Sequence, residues 1–101
     1  MNIYSSRIEA ITRRLRDDLN AAEKERIAFV LVAGEAFAQG DAIAGSLLMQ
    51  YGDRLVNYVF YKIEQLGGDA TKLQIGKENV TQWIVANQDL LEAFFLKPSV
   101  K

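Results

Sequence analysis

Few residues in this chain are of a type that does chemistry, and the absent types decide more than the present ones. The 101 residues include no histidine and no cysteine. Ser-His-Asp and Cys-His nucleophiles, histidine metal sites and zinc-thiolate motifs each need one or both. Carboxylate, lysine, tyrosine and serine chemistry remains. The glycines follow helix-stop positions rather than a GxGxxG or P-loop spacing, so no phosphate cradle is encoded. Paired carboxylates occur at Asp17-Asp18 and around Glu23 and Glu25, in the most charged part of the chain. The expectation is a non-enzymatic protein without cofactor or metal.

Three groups of residues still suggest a site. Glu35 is an acid inside the apolar run AFVLVAGEAFAQG. If buried, it must be paired or protonated, and such acids cluster at functional sites. At the edge of its helix it would sit in water or pair with Arg54 or Lys62. Arg7, Arg13, Arg14 and Arg16 form the one basic cluster and are candidate phosphate contacts. Glu9, Asp17 and Asp18 share that surface at salt-pair spacing, and no aromatic residue is interleaved for base stacking. Tyr51, Tyr58, Phe60 and Tyr61 crowd one segment, and Trp83, Phe94 and Phe95 another. Phe94 and Phe95 cannot both point into one small core. Phe60, Trp83 and Phe95 are therefore candidate interface anchors, the usual role of surplus aromatics.

The elements that must position these residues are helices. Half the residues are hydrophobic and a quarter charged, an ordinary globular balance for a chain of one domain, 1–101. Pro98 is the single proline, so nothing inside the chain forbids long helices. The organising stretch is Asp41 to Leu66. Its residues Ala44, Leu48, Tyr51, Leu55, Val59, Ile63 and Leu66 recur in steps of three and four, which draws one stripe down a helix. Gly-Asp pairs at Gly40-Asp41, Gly52-Asp53 and Gly68-Asp69 each read as a helix stop and start. The stripe crosses the middle pair in phase, which favours one long or bent helix over 41–66 and an elongated bundle; a break at Gly52 would instead give a compact cluster of shorter helices.

A first helix is expected over Tyr4–Leu19, supported by Glu9–Arg13, Arg13–Asp17 and Arg14–Asp18 at i,i+4. Asn20 and Glu23 have capping-box spacing and mark a break or bend. A second helix follows over Ala21–Gln39, apolar all round and hence central. Asp69 to Lys77 is a connection anchored by Leu73 and Ile75. The last helix covers Asn79–Leu96, with Val80, Trp83 or Ile84, Asn87, Leu90 or Leu91, and Phe94 facing inward. The expected fold is an all-α bundle of four to five helices.

A net charge of −1 gives no global attraction to nucleic acid or anionic membrane. No leader-like apolar run opens the sequence, and no uncharged stretch is long enough to span a bilayer, so a cytoplasmic location without membrane contact is expected. Three function classes follow. The first is a non-catalytic protein–protein interaction or adaptor module, self-associating into a homo-oligomer. The second, disfavoured by net charge, is a nucleic-acid-binding regulator using the N-terminal arginines. The third is a helical bundle that binds a small ligand through Glu35 or the tyrosines.

Overall fold

In the computed structural model, which describes residues 4–73 and 79–98, Asn20 opens the helix that the others cover. Its side chain accepts from the Glu23 N–H, and the Glu23 carboxylate accepts from the Asn20 N–H, both at 2.9 Å. This capping box starts α2 (Ala21–Ala38). Val30 to Gly34, five consecutive residues, are all buried, so α2 has no solvent face over its centre. The apolar run IAFVLVAG in α2, which periodicity alone could also read as a buried strand, is helix, since no second strand exists among the described residues to satisfy its backbone.

The fold is all-α as expected, with six α-helices among the described residues rather than four to five. Three expected helices are shorter or divided, each for a physical reason. The first, α1 (Ser5–Thr12), does not reach Leu19. The chain instead turns, and Leu15 forms an isolated antiparallel bridge with Leu96. The Arg16 N–H donates to Phe95 O at 2.9 Å, and the Lys97 N–H donates to Arg14 O at 2.7 Å. Magnitudes decide this. Helical salt pairs contribute a few tenths of a kcal/mol each, whereas burying Leu15 and Leu19 contributes about 1.5–3 kcal/mol apiece. Both leucines are buried.

The organising stretch is two helices, α3 (Ala42–Tyr51) and α4 (Asp53–Gln65). Gly52 between them has φ 56° and ψ −141°, a conformation essentially reserved for glycine. A continuous helix of this length would run about 39 Å. The folded chain measures 33 × 33 × 25 Å with a radius of gyration of 12.8 Å, so the compact alternative is the one realised. The break also takes Tyr51 out of the stripe. Ala44, Leu48, Leu55, Val59 and Ile63 are buried, while Tyr51 is exposed.

The last expected helix divides into α5 (Val80–Ala86) and α6 (Gln88–Phe95) at Asn87. The buried Asn87 side chain donates to Trp83 O at 2.8 Å, competing with the helical ladder at that carbonyl. The inward face beyond it becomes Leu91 and Phe95, and Leu90 is exposed. Between α4 and α5 a 3-10 turn, Ala70–Lys72, is capped by Asp69, and Leu73 is buried beside it. Ile75 lies outside the described residues. Helix α2 packs against α1, α3, α5 and α6, while α4 packs on α5. A Cβ on Gly45 would stand 2.6 Å from the Phe37 ring, so that glycine sets how closely α3 approaches α2.

The Gly52 conformation makes a prediction of definite sign. In a continuous helix, Gly52→Ala would stabilise by about 1 kcal/mol. At the observed positive φ it should instead destabilise by about 1–3 kcal/mol, read as a lower urea midpoint with unchanged slope.

Candidate functional site

The structure disperses most of the residues that the sequence offers for a site. Glu35 is not a buried acid: its side chain is 48% exposed and pairs with Arg7 at 3.3 Å rather than with Arg54 or Lys62. The four arginines do not share one helix. Arg13 pairs with Glu9 at 2.8 Å, and Arg16 binds Asp18 in bidentate fashion at 2.7 and 2.8 Å. Arg16 also lies 4.5 Å over the Phe94 ring. Only Arg14 has no ion pair among the described residues.

Two of the three aromatic anchors are corrected from surface to core. Trp83 and Phe95 are buried, and Phe60 is half-buried with its ring 5.5 Å from that of Trp83. Phe95 meets Phe94 edge to face at 4.9 Å, so one ring enters the core and the other lies outside it under Arg16.

Among the described residues, the larger of two open cavities lies elsewhere. Helix α2 carries a stripe at i, i+3, i+4 and i+7, Ala22, Glu25, Arg26 and Phe29, that no other helix covers. Ser5, Ile8 and Glu9 of α1 form one wall. Leu47 and Tyr51 of α3, with Arg54, Leu55 and Tyr58 of α4, form the other. The result is an open groove of about 1100 Å³. The break at Gly52 builds it, because it turns Tyr51 outward to meet Phe29 at 5.5 Å between ring centroids. On the same wall Tyr58 lies under Arg26 of α2, whose guanidinium is 5.4 Å from the ring centroid. The Tyr58 hydroxyl is buried and has no hydrogen-bond partner among the described residues.

Two carboxylates hold the groove's helices in place. Asp41 caps α3 by accepting from the N–H groups of Ile43 and Ala44 at 3.0 and 3.3 Å. It also accepts from the Tyr4 hydroxyl at 2.6 Å, which ties the start of α1 to the start of α3. That bond, with the two N–H donors, holds the Asp41 carboxyl below the usual range and raises the Tyr4 phenol. Glu23 both closes the α2 capping box and pairs with Lys62 of α4. Lys62 is buried and donates as well to Gln65 at 2.5 Å. The Lys62 contact, followed by the Asn20 N–H, holds the Glu23 carboxyl low.

Lys62 and the groove were missed in the sequence, though Lys62 left a signal. It stands at i+7 from Leu55 on the stripe of Val59 and Ile63, so a charge there had to be buried and paired. Among the described residues no three acidic side chains gather to hold a metal ion, and no helix is long and apolar enough to cross a membrane. No family model, curated protein or solved structure matches the chain.

The two latches predict a pH dependence. Asp18, Glu23 and Asp41 titrate below their ordinary values of 3.8, 4.5 and 3.8. A folded value below the unfolded one contributes stability above the unfolded value and loses it as pH falls through the folded one. The urea midpoint should therefore hold from neutrality down to about pH 5 and fall progressively below it. Tyr4→Phe should lower the midpoint at neutral pH and make the acid decline shallower, since it removes the largest cause of the Asp41 shift.

Proposed function

We propose that this chain is a non-catalytic protein–protein interaction module and that the groove is its contact surface. The observation that carries this reading is the continuity of exposed apolar surface with the groove. Ile43, Leu47 and Tyr51 stand four residues apart along α3, and the line runs from open surface into the groove wall. Ile43 and Tyr51 are 59% and 47% exposed. Apolar surface of this kind, continuous with a cleft and rimmed by charge, marks a protein contact, and tyrosines are its usual anchors.

The other function classes have less behind them. Three of the four candidate phosphate-binding arginines already face acids, which leaves little free positive field for a phosphate backbone. A small ligand is normally enclosed over most of its surface, and this groove is open along its length. Chemistry that needs histidine or cysteine has no residue to carry it, and a binding role in the cytoplasm is the reading we adopt.

The test is site-specific crosslinking in cells. With a photoreactive phenylalanine derivative at Tyr51, one or a few discrete adducts are expected, and their mass tells a second copy of the chain from another protein. The same substitution at Glu64, exposed on α4 and away from the groove lining, should give none. Absence of adducts at Tyr51, or equal labelling at both positions, overturns the proposal.

A further inference from the structure

The groove has unspent polar chemistry that says what should lie in it. We infer that its occupant is an amphipathic helix of a protein partner that presents carboxylates beside its apolar stripe. This rests on the interaction-module reading and adds the partner's shape and charge.

Shape comes first. The floor of the groove is a helical i, i+3, i+4, i+7 stripe, the surface against which another helix packs its ridges. A helix about 10 Å across fills 1100 Å³ over a length of about 14 Å, or about nine residues. Phe29, Leu47 and Tyr51 supply the apolar contact that such a helix needs.

Charge selects among helices. Arg26 and Arg54 are exposed in the groove and make no ion pair among the described residues. The Tyr58 hydroxyl beneath Arg26 is a buried donor without an acceptor. On the acidic side, Glu9 is already engaged by Arg13, which leaves Glu25 as the free carboxylate. Two guanidiniums without an ion pair against one such carboxylate make a groove short of acceptors. A partner glutamate or aspartate would supply them through charge-assisted bonds, the strong class of hydrogen bond. A basic helix would meet like charge from Arg26 on the floor and Arg54 on the α4 wall.

The experiment uses the whole chain, isotope-labelled for NMR, titrated with synthetic amphipathic helices of about 16 residues. All share a Leu/Phe stripe; their remaining positions carry Glu, Lys or Ser. The Glu peptides should shift the signals of Ile8, Phe29, Tyr51 and Tyr58 and bind at least about tenfold more tightly than their Lys twins, with affinity falling as salt rises. The double variant Arg26→Gln with Arg54→Gln should lose about tenfold for the Glu peptides and little for the Ser peptides, with Tm lowered only by the loss of the Arg26–Tyr58 contact.

Equal binding of Glu and Lys peptides would overturn the charge assignment while leaving the groove as a contact surface. No shift with any peptide at millimolar concentration would overturn the helix, and the Tyr51 crosslinks then decide separately whether the module reading survives. Binding of 3-phenylpropionate as tight as that of the peptides would make the occupant a small carboxylate. A dimer by light scattering whose groove signals change on dilution would make it a second copy.

Discussion

Helix α2 cannot be left in water, and most of this structure follows from that constraint. Its centre is apolar on every side, so each side must be covered, and one straight neighbour covers only one side. Helices α1, α3, α5 and α6 share the task. Short helices do this better than long ones, because a 26-residue rod would project beyond a body of 33 Å. The divisions at Gly52 and Asn87 are the means by which two long apolar segments wrap a single axis. At both, a local feature breaks a helix where the hydrophobic pattern alone would have continued it: a glycine backbone conformation at Gly52 and the Asn87 side chain at the other.

The joints of this assembly are made by capping residues that serve twice. Asp41 closes the first turn of α3 and receives the Tyr4 hydroxyl from the start of α1. Glu23 completes the α2 capping box and receives buried Lys62 from α4. A carboxylate has lone pairs for several donors, so a cap can hold a neighbouring element with little added ordering of its own side chain. Arg16 acts similarly where the chain ends meet, held by Asp18 and lying over Phe94 while its backbone pairs with Phe95. These links fix the angles between helices that apolar packing by itself would leave loose.

The groove is what remains when α1 and the α3–α4 corner cover α2 incompletely. Its walls come from four helices, and its aromatic character depends on Tyr51 leaving the buried stripe at the break. A groove of this sort is hard to see in one dimension, because each residue in it reads locally as something else. Tyr51 reads as core, Arg26 and Glu25 as a solvated helix face, and Phe29 as part of an apolar run. The residues that looked most like a site were satisfied locally instead: Glu35 by Arg7, Arg13 by Glu9, and Trp83 and Phe95 by the core.

The sequence by itself determined the class of fold, the central place of α2, and the caps at Asn20, Asp41 and Asp69. These are local matters, settled by periodicity over a few turns and by side chains reaching N–H groups two or three residues away. It also leaves out the residue types that histidine and cysteine chemistry needs. Only the tertiary structure decided where helices stop, because Leu15 pairing with Leu96 and the turn at Gly52 weigh contacts distant in sequence against small local helical preferences. The same holds for the groove. Which face of a helix stays uncovered depends on how far its neighbours extend and at what angle they lie, and no short stretch of sequence contains that information.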